Sequence, residues 1–259
     1  MKKRSSVRFH RASVLLARAG VVLLMFVVWE IAARWFVDPM FLSPPSRVIG
    51  SLGKLFARPG MTDAFLMLMG ELAISFVCSV VIGLAIALII GATDLSRRSL
   101  MPIVLLLYGT PQITILPIVM LLAGVGTASK ITFGITHGVF PVILTVAASL
   151  RDVKPILRLS ARSMGASAWQ RFRYILFPHM LPSFFTSLRL AMIASLLGVL
   201  LAELYASSRG IGFFTRQFTE TFDPTSLFGL VLVAAAMAMA FNEILRWVQA
   251  RVTAKGAWQ

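Results

Sequence analysis

The chain has 259 residues, of which 58% are hydrophobic and 14% are charged, and its formal net charge is +15. A soluble domain is about half apolar and about a quarter charged, so this composition excludes an ordinary soluble protein and indicates an integral membrane protein. The basic residues lie between apolar runs. Orientation in a bilayer therefore explains the positive charge better than nucleic-acid binding does, and we expect no nucleic-acid partner. The single cysteine, Cys78, excludes a disulfide within the chain.

The chain opens with a basic tail, residues 1–13, followed by an apolar segment at about 14–36. This segment is too long for the apolar core of a signal peptide and has no clear cleavage site near its end. We therefore interpret it as an uncleaved first membrane span. After it, the apolar residues that follow Pro45 are spaced like one helical face, which predicts a short amphipathic helix on the outer surface.

Further apolar segments predict five more membrane helices, so the expected fold is all-α with about six spans in a single domain, 1–259. These spans are predicted at 64–91, 100–122, 129–150, 187–207 and 226–248.

The third of the six spans holds three prolines, Pro102, Pro111 and Pro117, which predict a bent or broken helix beside a cavity. Two readings of its polar side chains stay open. They either present hydrogen bonds to a solute or bond the carbonyls that Pro111 releases. The side chains concerned are Thr110, Gln112 and Thr114.

The distribution of Lys and Arg predicts the orientation. Six spans place both termini on one side, and the tails, loops and span ends carry sixteen basic residues on that side against six on the other. The positive-inside rule then places both termini and the long loop at 151–186 in the cytoplasm.

That loop contains the most distinctive stretch, residues 155–178, which we call the Gly165 knob. Gly165 interrupts a helical pattern as a glycine just past a helix end does. Ser167 and Gln170 form a Ser-x-x-Gln capping-box pattern that starts a new helix. We predict two short helices joined by a tight turn of small residues, suited either to docking into a partner or to a plain basic loop.

The knob resembles the cytoplasmic "EAA" coupling loop of bacterial ABC-importer permeases. Leu159-Ser160-Ala161, Gly165 and Ile175-Leu176-Phe177-Pro178 keep the spacing of that motif, although Leu159 stands where the family has glutamate. The segments FLSPPSRVIGSL after the first span and Ala202-Glu203-Leu204 resemble the branch that carries sulfonates, taurine and nitrate. The docking surface that the resemblance implies consists of Leu159, Ser160, Ala161, Arg162, Met164, Gly165, Ala166, Ser167 and Trp169.

The resemblance also implies the type I ABC-importer permease fold, an inner-membrane location and a set of partners. These are a second copy of the chain, two cytoplasmic ATPase subunits and a periplasmic or lipid-anchored solute-binding protein. The expected solute is a small organic or inorganic anion, with a thiamine-precursor or riboflavin-like solute as the alternative. ATP would be bound by the partner subunits, since the chain has no Walker A pattern, and we expect no cofactor, metal or catalytic residue of its own.

Ionisable residues inside spans are functional candidates by default. His137 and Glu203 are the two that we assign to the solute path, each with a structural alternative: helix packing for His137 and hydrogen bonding for Glu203. Glu71 could be a solvated residue or a packing partner. A secondary transporter that depends on these carboxylates stays open, whereas an intramembrane enzyme lacks the residue cluster that it would need.

Overall fold

The computed structural model describes the backbone of residues 2–255, and the side chains of 2–15, 18, 206 and 253–255 lie outside the described part. The basic side chains of the N-terminal tail, on which the orientation prediction partly depends, are therefore among those not described. Every regular element within 2–255 is helical, in agreement with the predicted all-α class. The elements are α1 Lys2–Trp35, α2 Pro45–Phe56, α3 Met61–Ala92, α4 Asp94–Gly109, a 3₁₀ turn Gln112–Ile115, α5 Leu116–Ala123, α6 Thr127–Arg151, α7 Pro155–Ser163, α8 Ala168–Arg171, a π turn Phe172–Leu176, α9 Phe177–Ala206, α10 Ile211–Glu220 and α11 Pro224–Lys255.

Four helical segments of the described chain are long and apolar enough to cross a membrane, and a bent pair makes a fifth if it counts as one span. The first predicted span falls in α1, which is not among them, so the number of six spans stays a prediction. The four segments are Met61–Ala92, Thr127–Arg151, Ala168–Tyr205 and Pro224–Val252.

The bent pair confirms the break that the prolines of the third span predict. α4 and the following Gln112–Ala123 segment meet at 87°. Proline disfavours the α conformation in the residue before it and has no N–H to continue a helix. Accordingly, Thr110 is extended, at φ −73° and ψ 134°, and Pro111 also leaves the helical region.

The fifth predicted span begins earlier in the structure than the sequence indicates. The helix is already established at α8 and continues through the π turn into α9. Even α9, which begins at Phe177, starts ten residues before the predicted position 187. Pro178 closely follows the π turn, where the N–H of Phe177 bonds to Phe172 O, and such a local π adjustment lets a membrane helix continue through a proline. The second helix of the knob is therefore continuous with the span that follows it.

The chain divides into two compact units, Met1–Met61 with Thr215–Val233, and Thr62–Phe214 with Ala234–Gln259. The single-domain organisation stays a prediction. In the first unit, Glu30 accepts hydrogen bonds from the backbone N–H and hydroxyl of Ser46, at 3.0 and 2.7 Å, where α2 begins. In the same unit the ring of Trp29 packs 5.3 Å from that of Phe228.

In the second unit, α3, α6 and α9 pack through small residues. A Cβ added to Gly134 of α6 would lie 2.6 Å from Ser75 Oγ of α3 and 2.7 Å from Val199 Cγ2 of α9. Such small residues let membrane helices approach closely, and their hydroxyls bond neighbouring backbone. Ser75, for example, donates to Ile131 O at 3.1 Å. This three-helix core positions the buried charges described below.

Candidate functional site

The turn of the Gly165 knob is a Schellman motif. α7 ends at Ser163, and Gly165 adopts φ +77°, a left-handed conformation that favours glycine. Its N–H donates to Arg162 O at 2.9 Å, and the N–H of Ala166 donates to Ala161 O at 2.9 Å. These two bonds satisfy the last carbonyls of α7, which a helix end otherwise leaves open.

The second helix of the knob starts at the predicted capping box. Ser167 Oγ accepts the N–H of Gln170 at 3.2 Å, and Gln170 Oε1 accepts the N–H of Ser167 at 2.7 Å. Both bonds of the motif are present, so the Ser-x-x-Gln prediction is confirmed. The turn is thus fixed at both ends by bonds between near neighbours in the sequence.

Large apolar side chains project from this turn into solvent. Met164 is 85% exposed, Trp169 68% and Leu159 61%. The other predicted docking residues, Ser160, Ala161, Arg162, Gly165, Ala166 and Ser167, lie on the same exposed or half-exposed segment. An apolar surface on a preformed helical turn is typical of a docking element, since exposed apolar patches mark interaction sites.

Two of the three polar candidates in the bent span bond local backbone. Thr110 Oγ1 donates to Leu106 O at 3.1 Å, and Thr114 Oγ1 donates to Pro111 O at 2.7 Å. Gln112 differs, because its Oε1 is buried without a hydrogen-bond partner among the described residues. Of the three, Gln112 alone has a buried side-chain oxygen that makes no hydrogen bond within the described residues.

His137 lies at the contact between α6 and α9. Its Nδ1 is 3.0 Å from Phe133 O, and its ring packs edge-on against Phe133 with centroids 4.5 Å apart. A Cβ on Gly198 would come within 2.9 Å of His137 Cγ, so the α9 backbone approaches the ring closely. The structure does not bring His137 together with Glu203.

Glu203 belongs instead to a buried group of three charges, the Lys130 triad, formed with Lys130 and Glu71. Lys130 Nζ lies 3.1 Å from Glu71 Oε1 and 3.3 Å from Glu203 Oε1. The side chains of Lys130, Glu71 and Glu203 are only 3%, 2% and 0% exposed. Two carboxylates thus share one ammonium group, and the triad joins α3, α6 and α9.

The two carboxylates of the triad are held differently. Glu203 accepts a hydrogen bond from Lys130 and, through Oε2, one from the N–H of Gly212 at 3.0 Å in the first turn of α10. Glu71 meets Lys130 as an ion pair, and neither of its oxygens has a well-formed hydrogen bond within the described residues. A Cβ on Gly210 would collide with the Glu203 carboxylate, so the loop must pass it without a side chain.

Sequence reasoning missed Lys130. The residue falls inside the fourth predicted span, at 129–150, and a full survey of ionisable residues within spans would have included it. Its partners lie 59 and 73 positions away, and nothing in the sequence indicates those pairings. No group of three or more His, Cys, Asp or Glu in the described part of the chain is arranged to hold a metal ion.

Long apolar helices, a broken span and an exposed helical knob together indicate a membrane protein with several spans. The chain belongs to the family described as binding-protein-dependent transport system inner membrane component, whose pattern matches residues 79–255. It is the permease subunit of an ABC importer, an inner-membrane protein with several spans. Membership implies that ATPase subunits and a solute-binding protein work with it.

Comparison with individual proteins agrees with this family. The chain is 27% identical over 245 residues to the taurine transport system permease protein of Escherichia coli, covering 93% of this chain and 89% of the relative. It is 25% identical over 217 residues to the formylaminopyrimidine transport permease protein of Halalkalibacterium halodurans, covering 84% and 86%. A solved bacterial ABC transporter involved in the import of alginate matches with a TM-score of 0.65 at 14% identity, over 97% of this chain and 100% of that chain, which shows the fold.

Proposed function

We propose that this permease forms half of the path for a small organic or inorganic anion, such as a sulfonate, taurine or nitrate, and that the Gly165 knob docks into a separate ATPase subunit. The single observation that carries the docking proposal is the solvent-exposed turn, closed by backbone bonds and a capping box, in which Met164 is 85% and Trp169 68% exposed. A second copy of the chain completes the path on a two-fold axis, so that each copy presents one knob to one of two ATPases.

The geometry supplies a route for coupling ATP to the path. α8, the π turn and α9 form one helical segment, Ala168–Tyr205. At about 1.5 Å per residue, this segment spans roughly 50 Å from Trp169 to Glu203. A displacement of the knob when the ATPase pair closes would therefore be transmitted along one stiff element to the Lys130 triad at its other end.

The bent span and the Lys130 triad are the places where we expect solute to be handled. Gln112, Thr110 and Thr114 lie at the break. Gln112, whose buried side-chain oxygen has no partner within the described residues, is the first candidate for solute contact, because its amide group can donate N–H to an anionic group and accept from a donor of the solute. Glu203 acts through Lys130 and Gly212 as part of a gate, and His137 packs beside the path. The anion proposal follows the taurine relative, and the formylaminopyrimidine relative makes a thiamine-precursor solute the alternative.

The orientation completes the proposal. Both termini and the knob face the cytoplasm, because sixteen basic residues lie on that side and six on the other. A periplasmic or lipid-anchored binding protein then meets the opposite side. Labelling of cysteines introduced at Met164 and at Gly124 by a membrane-impermeant reagent checks this: in intact cells Gly124→Cys should react and Met164→Cys should not.

The docking proposal is tested by pulling the tagged chain from its native membrane with and without Gly165→Trp. A matched control exists in Gly124→Trp. Gly124 has φ +78° against +77° for Gly165, and a Cβ at either position meets nothing within 4 Å of this chain. Both variants add the same bulk at a positive φ. Gly124 also has ψ 170°, a conformation that is essentially restricted to glycine, so the backbone strain in Gly124→Trp is at least as large as in Gly165→Trp.

We expect the wild type and Gly124→Trp to recover an ATP-hydrolysing subunit and Gly165→Trp to lose it. Equal loss in both variants would indicate a folding defect and leave docking at the knob unsupported. Solute uptake by the purified chain with no ATPase present would replace the importer mechanism by secondary transport.

A further inference from the structure

A basic crevice lies between the knob and the nearby ends of the spans. Three adjoining cavities share Arg158 and Arg162 of α7, and two of them have volumes of about 340 and 200 Å³. They open beside Gly91 and Ala92 at the end of α3 and Leu150 near the end of α6. We call them together the arginine crevice, which is lined by Arg97, Arg151, Arg158, Arg162 and Arg171.

The positive charge of this crevice is largely uncompensated. Asp94 is its one acidic lining residue and pairs with Arg97 at 2.9 Å. Within the described residues, no ion pair reaches Arg151, Arg158 or Arg162. Like charges held close together repel one another, so the cluster calls for an anion from outside the chain.

Arg158 gives a second, independent indication of a missing ligand. One end of its guanidinium, Nη2, donates to Leu150 O, which fixes the side chain against α6. Its Nε is buried and has no acceptor among the described residues. A buried N–H without a partner is costly, and a guanidinium presents its donors as a fork that matches phosphate oxygens.

The crevice also has an apolar lining. Phe172, Ile175 and Leu176 of the π turn line the same cavity as Leu88 and Leu150, which belong to helices that cross the membrane. A cavity lined both by several arginines and by apolar side chains of the spans fits a molecule with an anionic head and a hydrocarbon tail. Inorganic phosphate or an acidic side chain of a partner would use the arginines alone.

We propose that the arginine crevice binds the headgroup phosphate of an anionic phospholipid of the knob-side leaflet, with an acyl chain along Leu88, Ile175 and Leu176. Basic pockets at the membrane surface recognise anionic headgroups in this way. Because Arg158 and Arg162 lie on α7 and Phe172 follows α8, the lipid would bridge both helices of the knob to the ends of α3 and α6. This inference is independent of whether the knob docks into an ATPase.

The test uses the full chain in neutral detergent mixed with phosphatidylglycerol or phosphatidylcholine of the same acyl chains, with bound lipid read by native mass spectrometry. The variant is Arg158→Gln with Arg162→Gln. The matched control is Arg98→Gln with Arg173→Gln, which removes the same charge from exposed positions in the same region that line none of the cavities.

We expect the wild type to retain phosphatidylglycerol in preference to phosphatidylcholine. The crevice variant should bind it about 25-fold more weakly, at about fivefold for each arginine, and the control should bind it nearly as the wild type does. If the crevice variant is not monodisperse, Arg158→Lys with Arg162→Lys replaces it and should keep a weakened preference for phosphatidylglycerol.

Three results would overturn the proposal. Equal losses in the crevice variant and the control would indicate general surface attraction. Displacement of the lipid by millimolar inorganic phosphate would indicate a free-anion site. Unchanged lipid retention in the crevice variant would show that the arginines do not hold the lipid, whatever happens to ATPase recovery, because Arg162 also belongs to the proposed docking surface.

Discussion

The Gly165 knob and the Lys130 triad hold their shapes in opposite ways. The knob is exposed, and its turn depends on backbone bonds between residues three and five positions apart. The triad is at most 3% exposed and joins three helices through charges far apart in sequence. A surface fixed by local bonds can meet a partner without change, whereas buried charges depend on every helix that supplies them.

The two regions are also the ends of one helical segment. The segment Ala168–Tyr205 starts just after the turn of the knob and carries Glu203 near its other end. Under the docking proposal, a displacement of the knob would pass along this helix, and a charge network that must break or re-form can hold the far end in discrete states. The comparison therefore predicts that damage to the triad destabilises the whole chain, while damage to the knob has local effects.

The largest expected effect is that of Lys130→Met. The substitution leaves two buried carboxylates without their cation, and breaking a buried ion pair by removing one partner costs about 3–5 kcal/mol. For a chain of this size, that cost corresponds to a fall of roughly 10 °C in the melting temperature. The measurement is thermal unfolding of the purified chain in detergent.

A neutral triad separates the charge from the packing. Lys130→Met combined with Glu71→Gln and Glu203→Gln removes every charge, and an amide oxygen at position 203 still accepts the N–H of Gly212. We expect this triple variant to recover most of the lost stability and Glu71→Gln alone to cost little, because Glu203 keeps its lysine. A triple variant as unstable as Lys130→Met would show that packing, and not unpaired charge, determines the effect.

Gly165→Ala should have a smaller and local effect. At φ +77° a Cβ is strained, at a cost of about 1–2 kcal/mol, but it meets nothing within 4 Å. We expect the variant to weaken the turn and still to recover the ATPase subunit that Gly165→Trp loses. Gly124→Ala, at φ +78° and ψ 170°, gives an upper limit for the cost of such strain away from the knob. If Gly165→Ala lost the ATPase completely, docking would depend on the left-handed backbone conformation at Gly165 and not on the absence of a bulky side chain there.

Ser167→Ala should cost about 1 kcal/mol, because it removes the acceptor that caps α8. The expected signal is faster amide hydrogen exchange at Gln170, confined to the knob. Ser167→Asp retains a capping oxygen and should exchange at nearly the wild-type rate. Accelerated exchange that extends into α3 or α6 would contradict the local character of the knob.

The same contrast explains what the sequence could predict. The turn at Gly165, the cap at Ser167 and the break at Pro111 all follow from the conformational needs of a few adjacent residues, so the pattern indicates them directly. The Lys130 triad follows from how α3, α6 and α9 pack, which no local pattern encodes. The sequence predicts the fifth span from 187 because Pro178 and Pro182 look like helix breakers, whereas the helix continues through both, with a π turn just before Pro178.

The smallest expected effect concerns the half-exposed ion pair of Arg58 and Asp223, at 2.9 Å. It is the solvent-accessible counterpart of the buried ion pairs in the Lys130 triad. Burial alone would raise the pKa of Asp223, but hydrogen bonds from Ser226 and the charge of Arg58 outweigh it and hold that pKa below its ordinary value. A carboxyl group with a lowered folded-state pKa stabilises the protein above the unfolded-state pKa of about 3.9, and this stabilisation is lost as the pH falls through the lower folded-state value. Since such exposed pairs contribute about 0.2–1 kcal/mol and are screened by salt, Asp223→Asn should lower the melting temperature slightly at pH 7 and low salt. The difference from wild type should vanish once the pH falls below the lowered folded-state pKa of Asp223, or in about 1 M salt. A difference that persists in high salt would contradict the assignment to the charge pair with Arg58. Asp223→Ala also removes the oxygen that accepts the N–H of Ser226 at 3.0 Å, and it should cost about 1 kcal/mol more than Asp223→Asn, at any salt concentration.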